Sequence, residues 1–313
     1  MPDCAILMYH RVCERTPESE PYFARGTAVE PAIFHRQLGW LSQNCDVVPL
    51  IEWLRPVVGK QRPRVVLTFD DGYLDATHQV APACAKLGFP WTLFAGPWCG
   101  SGQSELLWTD HYYALLGHAR RREHLDLSWL LATACAPLTL NDLIWWVRGP
   151  PKQALAGLNA RRRGEALERL ACALEVEVDL ALSARELYCS RSALLSLIDS
   201  GVTIGGHGAT HARLGDVAPR AQAAEISASK AFLDDLGAPN PRSFAYPDGS
   251  FDAAVASQVR AAGFTFGVTV APGMASVTTD SLRLPRHIVR NLMPENTNWC
   301  AAFHATGGSS WST

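Results

Sequence analysis

The feature that most constrains this chain is a strand–helix–strand pattern between residues 64 and 95. The apolar run at 64–69 predicts a buried strand, and the run at 91–95 predicts a second one. Helical periodicity over 73–87, followed by Gly88 as a C-cap, predicts the helix between them. Strands joined by a helical crossover lie parallel in one sheet, so we predict an α/β fold.

The same alternation continues on both sides of this unit. Further strands are predicted at 4–12, 46–50, 201–205, 242–246, 264–270 and 284–289, and further helices at 51–58, 193–200, 219–236 and 251–262, with another beginning at Pro31. Residues 104–191 show helical periodicity and few strand signals, which predicts a helical insertion or lid. We therefore expect a single domain over 1–313, with its sheet built from 1–103 and 192–305 and a flexible tail at 306–313.

Composition excludes several classes of function. The net charge is −2, so no overall field attracts nucleic acid. No apolar stretch is long enough to span a membrane, and the first eight residues lack the features of a signal peptide. The nine cysteines are scattered without a Cys-x-x-Cys pair, which is typical of reduced thiols. We expect a cytoplasmic protein.

Two adjacent carboxylates, Asp70 and Asp71, follow the strand at 64–69, and Gly72 comes next. Strand ends are where parallel α/β folds place their catalytic groups. Because side chains alternate along a strand, the two carboxylates point in different directions, so one could bind a metal while the other handles a proton. The alternative interpretation is ordinary Asp-Gly turn chemistry.

Histidines lie after other predicted strands. His207 and His211 are four residues apart, and they face the same way if the segment is helical, a spacing that suits two ligands of one metal. A site of two histidines and one carboxylate leaves positions open for water and substrate. His10 ends the first strand, at the end of the sheet where the two carboxylates should lie. Both His10 and His287 could instead be hydrogen-bonded core residues.

Three segments in this order carry a resemblance to a known family: residues 68–72 (Thr-Phe-Asp-Asp-Gly), the His207-x-x-x-His211 pair and residues 244–249 (Phe-Ala-Tyr-Pro-Asp-Gly). They resemble the polysaccharide deacetylases with a NodB-homology domain, carbohydrate esterase family four. The resemblance covers most of the chain outside 104–191 and implies a distorted (β/α) barrel of about seven strands.

The resemblance also implies roles for individual residues. A divalent metal would be bound by Asp71, His207 and His211; it is commonly zinc, with Co²⁺, Ni²⁺, Fe²⁺ or Mn²⁺ as alternatives. Asp70 would be the general base. The third segment departs from the usual Arg-x-Pro-Tyr-Gly, since Ala245 replaces the arginine and Asp248 the tyrosine.

The departures have different consequences. The backbone N–H of Asp248 can still stabilise an oxyanion, because any residue except proline carries that donor. Ala245 cannot orient the general base, and Arg286 is the candidate substitute. The start of the chain, Ile6-Leu7-Met8-Tyr9-His10, resembles the circularly permuted branch that deacetylates poly-N-acetylglucosamine. This resemblance makes His10 the general acid, with His287 as the alternative.

The predicted function is metal-dependent hydrolysis of an N-acetyl group on an amino-sugar substrate, releasing acetate and a free amine. An intracellular biosynthetic intermediate fits the cytoplasmic expectation. The alternatives are hydrolysis of another amide, such as an N-formyl or non-sugar amide, and a catalytically inactive carbohydrate-binding protein with the same fold.

Overall fold

The computed structural model describes residues 4–53, 62–100, 106–119, 122–131, 135–138, 142–240 and 242–297, and these residues contain twelve strands and eleven α-helices. The strands are β1 (Cys4–Tyr9), β2 (Arg11–Val12), β3 (Ala28–Val29), β4 (Asp46–Val47), β5 (Arg64–Phe69), β6 (Trp91–Ala95), β7 (Arg122–Asp126), β8 (Cys135–Leu138), β9 (Thr203–Gly206), β10 (Ser243–Ala245), β11 (Phe266–Val268) and β12 (His287–Ile288). The helices are α1 (Glu20–Arg25), α2 (Pro31–Asn44), α3 (Ala81–Leu87), α4 (Trp108–His118), α5 (Leu143–Arg148), α6 (Pro150–Ala156), α7 (Ala160–Leu174), α8 (Leu180–Leu187), α9 (Arg191–Asp199), α10 (Pro219–Asp235) and α11 (Ala253–Ala261).

The main sheet is parallel, as predicted. Its strands lie in the order β11-β10-β9-β6-β5-β1-β12, and β4 pairs with the first half of β5. The segment that contains β12 connects the two edges: Leu284 donates its N–H to the Gly267 carbonyl in β11, and Val289 donates its N–H to the Met8 carbonyl in β1. The sheet therefore curls into the distorted barrel that the resemblance implied, and seven strands follow one another around it.

Side-chain alternation separates an inner and an outer face of this sheet. Ile6, Val66 and Phe94 belong to the smaller buried cluster inside the curl. The neighbouring residues Leu7 and Leu67 belong to the larger cluster, which includes the apolar sides of the surrounding helices. Alternate residues along β5 face the same side, so Asp70, four positions after Val66, lies on the inner face as Val66 does.

The segment between β6 and β9 is mostly helical, as predicted, but its strand content was underestimated. β7 and β8 form an antiparallel hairpin within it. Its short strands lie among helices, so a pattern dominated by helical periodicity concealed them. The helix predicted at 73–87 also begins later, because a wider π-type turn at Ala76–Val80 precedes α3. The tail at 306–313 and most of the helix predicted at 51–58 lie outside the described residues.

None of the helices in the described part of the chain combines the length and the hydrophobicity that crossing a bilayer requires.

Candidate active site

The two carboxylates at the end of β5 diverge, as the strand alternation predicted. Asp70 continues the strand and donates its N–H to the Tyr9 carbonyl at 3.0 Å. The chain then turns through left-handed backbone at Asp71 (φ 73°) and Gly72 (φ 68°). Gly72 is required here, since a Cβ atom at this position would lie 2.4 Å from the Cys99 sulfur.

Asp70 is bound by Arg286, the residue predicted to replace the missing arginine. The Arg286 Nη1 and Nη2 atoms each lie 2.7 Å from one oxygen of the Asp70 carboxylate. Arg286 is fully buried, and it also donates to the Thr269 carbonyl and the Thr68 hydroxyl. Burial alone would raise the pKa of Asp70, but the Arg286 guanidinium outweighs burial and holds that pKa below its usual range.

Replacing Arg286 with Met is expected to lower the free energy of unfolding at neutral pH by about 3–5 kcal/mol, because Asp70 would remain buried without a partner. The pKa of Asp70 is lower in the folded protein than in the unfolded protein, where it is about 4. Its pairing with Arg286 therefore stabilises the fold above about pH 4, and this contribution is lost as the pH falls through the pKa of Asp70 in the folded protein. Denaturant titrations at pH 7 and pH 3 should therefore show a smaller difference between the two proteins at pH 3. An equal difference at both values would contradict the pairing.

Asp71, His207 and His211 form the candidate metal site. Their donor atoms all lie within 4.8 Å of one another, and all three side chains are buried. The Asp71 Oδ1 atom is 3.3 Å from Nε2 of His207 and 3.4 Å from Nε2 of His211. Ligand distances of 2.0–2.2 Å in tetrahedral zinc sites separate neighbouring ligand atoms by roughly 3.3–3.5 Å, so this spacing fits a cation.

The protonation of these groups supports the same conclusion. Nδ1 of His207 lies 2.8 Å from the Ala245 carbonyl, which can only accept, so Nδ1 carries a proton and Nε2 is the ring nitrogen turned toward Asp71. That nitrogen faces Asp71 Oδ1, which accepts no hydrogen bond from any described residue other than the two histidines. Burial lowers the pKa of His211, but Asp71 more than offsets this and raises it to about 9. Negative charge at Asp71 thus attracts a positive charge to the space between the three groups.

The two histidines converge from a loop, so the helical geometry considered for them is wrong. Gly208 (φ 80°) and His211 (φ 57°) have left-handed backbone, which no helix allows. Glu225 of α10 holds the loop: its carboxylate accepts the N–H groups of Ala209 and Thr210 and the Thr210 hydroxyl. Glu225 was not predicted from the sequence. A signal exists in its position on the buried side of α10, between Gln222 and Ser229.

Trp98 is a second contact that sequence analysis missed. Its indole Nε1 donates to the Asp71 carbonyl at 3.0 Å. Its ring centroid lies 6.3 Å from that of His207 and 6.2 Å from that of His211. Trp98 therefore fixes the backbone of one candidate ligand and covers the rings of the other two.

The structure separates the two candidates for the general acid. Tyr9 pairs with Phe69, so His10 lies level with Asp70, and Nδ1 of His10 has no partner among the described residues. Burial lowers the pKa of His10, while Asp71 and Asp70 partly oppose this effect. His287 pairs with Leu7, which lies three residues, or roughly 10 Å, before His10. Like Leu7, His287 points to the outer face of the sheet. His287 therefore does not join the cluster.

Asp248 lies in the turn after β10, next to the loop of the two histidines. Its backbone is left-handed (φ 52°), and its carboxylate is 3.9 Å from Nη1 of Arg213. Burial would raise the pKa of Asp248, but His211 and Lys152 lower it below its usual range. The structure thus brings Asp248 to the site.

A cavity of about 1030 Å³ opens beside His211. Its walls come from the histidine loop and from the segment between β6 and β9, and they include Trp98, Trp108, Arg163, Leu167, Thr210 and Arg213. The volume is sufficient for a ligand of two or more sugar rings. The inserted segment therefore shapes the space next to the candidate metal site.

Part of the chain matches the sequence model of a known protein family. Residues 182–267 match the sequence model of the polysaccharide deacetylase family; this range includes His207, His211 and Asp248. No curated protein matches the chain by sequence.

Three solved structures share the architecture along almost their whole length. The Streptococcus pyogenes deacetylase PplD, solved in complex with acetate, is 18% identical with a TM-score of 0.53, and the match covers 95% of this chain and 97% of PplD. IcaB from Ammonifex degensii is 16% identical with a TM-score of 0.56, covering 98% of both chains. A de-N-acetylase from Aggregatibacter actinomycetemcomitans is 14% identical with a TM-score of 0.57, covering 96% of this chain and 98% of that one.

The resemblance predicted from the sequence motifs is confirmed by the family match, and the distorted barrel is confirmed by the fold shared with these deacetylases. The assignment to a circularly permuted branch stays a prediction.

Proposed function

From the deacetylase fold and the site at the end of its strands, we propose that this chain is a metal-dependent N-deacetylase. It would hydrolyse an N-acetyl group on an amino-sugar substrate and release acetate and a free amine. The observation that carries the proposal is the convergence of Asp71, His207 and His211 beside a second carboxylate held by Arg286. The acetate in the PplD complex is the product that this reaction would release.

The residues of the site divide the chemistry between them. A divalent cation held by Asp71, His207 and His211 would act as a Lewis acid on the amide carbonyl and make water more acidic. Asp70, kept ionised by Arg286, accepts the proton of the attacking water. The N–H of Asp248 stabilises the negative oxygen that develops as the carbonyl carbon becomes tetrahedral.

His10 completes the reaction at the leaving group. An amine leaves as an anion only at a prohibitive energy, so its nitrogen must gain a proton as the C–N bond breaks. Burial lowers the pKa of His10, so the ring is neutral at rest. The proton that His10 passes to the amine is the one that Asp70 removes from the attacking water, so the water consumed supplies every proton that the products gain. The position of His10 level with Asp70, across the paired strands β1 and β5, supports this role.

The pairing of Arg286 with Asp70 favours an enzyme over an inactive binding protein. The inactive alternative rested on Ala245, which cannot orient the base. Arg286, the residue before β12, supplies a bidentate contact to Asp70, so that objection no longer holds. The assay described next distinguishes N-acetyl from N-formyl substrates.

The substrate class is tested by a screen. Zinc-loaded protein is incubated with free, nucleotide-linked, lipid-linked and polymeric N-acetylamino sugars and with their N-formyl analogues, and the released acid and amine are quantified. We expect acetate and amine to be released in equal amounts from at least one N-acetyl substrate. Release of formate alone would replace the acetyl assignment. A cytoplasmic location and an intracellular substrate stay predictions, which cell fractionation tests.

Replacing His10 with Ala is expected to lower kcat by about 10²–10⁴-fold, because the leaving amine loses its proton donor. His287→Ala is the matched control, since it removes a buried histidine that points away from the site. Steady-state kinetics of both variants on the same substrate make the comparison. A larger loss of kcat in His287→Ala would reverse the assignment.

A further inference from the structure

Four basic side chains from separate parts of the chain lie near one another. Arg25 ends α1, Arg148 ends α5, Lys152 lies in α6 and Arg290 follows β12. Nη2 of Arg148 donates to the Arg25 carbonyl at 2.6 Å. Nη2 of Arg148 and Nη1 of Arg290 lie 3.0 Å and 3.2 Å from the position that a Cβ at Gly26 would occupy. These four residues are called the basic cluster below.

The basic cluster carries its positive charge without a paired carboxylate among the described residues. None of its four members forms an ion pair with a carboxylate in the described part of the chain. Burial lowers the pKa of Arg148, and the nearby charges of Arg290 and Arg25 lower it further. Like charges brought together this way repel one another unless an anion lies between them. The cluster therefore has the charge of an anion site.

Lys152 joins the basic cluster to the reaction site. Its Nζ atom donates to the Tyr113 hydroxyl at 2.6 Å and lies 6.0 Å from the ring centroid of Trp108, which lines the cavity beside His211. Burial and Arg25 lower the pKa of Lys152 to about 8, against the opposing negative charges of Asp248, Asp110 and Asp71. Lys152 is thus within electrostatic reach of both the cluster and the candidate ligands.

We propose that the basic cluster binds the phosphoryl group of the substrate, so that the substrate is an N-acetylated sugar phosphate or diphosphate ester. This rests on the proposed function. Guanidinium groups bind phosphate oxygens in pairs, and four cations match a diphosphate better than the single charge of a carboxylate. A nucleotide-linked and a lipid-linked sugar share this chemistry.

A kinetic comparison tests the assignment and separates the two sources. Zinc-loaded protein is assayed on free N-acetylglucosamine, its 1-phosphate, UDP-N-acetylglucosamine and a polyprenyl diphosphate-linked form. We expect kcat/KM at least tenfold higher for a phosphorylated sugar than for the free sugar. In the double variant Arg148→Ala/Arg290→Ala, this preference should fall at least tenfold through KM, with kcat on the free sugar unchanged.

The matched control is Arg185→Ala/Arg220→Ala, which removes the same charge from exposed positions outside the cluster. An equal loss in the control, or no preference for phosphorylated sugars in the unchanged protein, would overturn the proposal.

Calorimetric titration with pyrophosphate separates failure of this proposal from failure of the proposed function. Binding that weakens at least tenfold in Arg148→Ala/Arg290→Ala supports the anion site even if no sugar is deacetylated, in which case the proposed function fails alone. Binding that is absent, or equal in the variant and the unchanged protein, rejects the anion site even if acetate is released.

Discussion

Asp70→Asn is expected to abolish acetate release while leaving zinc content near that of the unchanged protein. The amide cannot accept the proton of the attacking water, so kcat should fall at least about 10²-fold. Zinc binding should be retained, because Asp70 is paired with Arg286 and is not one of the three candidate zinc ligands. Acetate release under saturating substrate and zinc content by elemental analysis provide the two measurements.

Two controls are needed for Asp70→Asn. Asp235→Asn removes a carboxylate that pairs with an arginine, Arg191, at the surface, and it should keep full activity. Circular dichroism must show that Asp70→Asn is folded, since Arg286 loses its charged partner in the interior. Full activity of the folded variant would reject Asp70 as the base, and loss of zinc would show that it is a ligand.

His207→Ala is expected to remove both zinc and activity. His207 is positioned by the Ala245 carbonyl so that its Nε2 atom faces Asp71, and its loss leaves two of three protein ligands. Zinc content should fall from about one ion per chain to a small fraction, and acetate release should fall to background.

His287→Ala is the control for His207→Ala, because this buried histidine lies outside the cluster. It should retain both zinc and activity. Normal zinc content in His207→Ala would show that the cation binds elsewhere, which would reject His207 as a zinc ligand.

Sequence periodicity was sufficient to predict the parallel sheet and the edge at which its functional groups lie. Strand signals at 64–69 and 91–95 match β5 and β6, and the helix predicted at 219–236 matches α10. These elements are determined locally by apolar spacing and caps, which single-sequence reasoning reads well. Asp70, Asp71 and His10 follow because residues after parallel strands meet at one end.

Contacts between distant segments were harder to predict. Arg286 binds Asp70 across 216 positions of sequence, and only the order of strands around the barrel brings them together. The loss of arginine at Ala245 pointed to a substitute but not to its geometry. Ala245 has another role, since its carbonyl fixes the ring of His207.

The histidine loop shows a different limit of sequence reasoning. A spacing of four residues predicts convergence only on a helix, whereas His207 and His211 meet through left-handed backbone at Gly208 and His211 itself. That conformation is held by Glu225. A buried carboxylate on α10 becomes interpretable only when the loop that it binds is known.

The most direct test of the account is acetate release by the same preparation before chelation, after chelation and after zinc is restored, measured on the best substrate of the screen. We predict that activity is lost with the metal and recovered with about one zinc ion per chain, and that His207→Ala shows neither the loss nor the recovery. Undiminished acetate release by the zinc-free protein would contradict it.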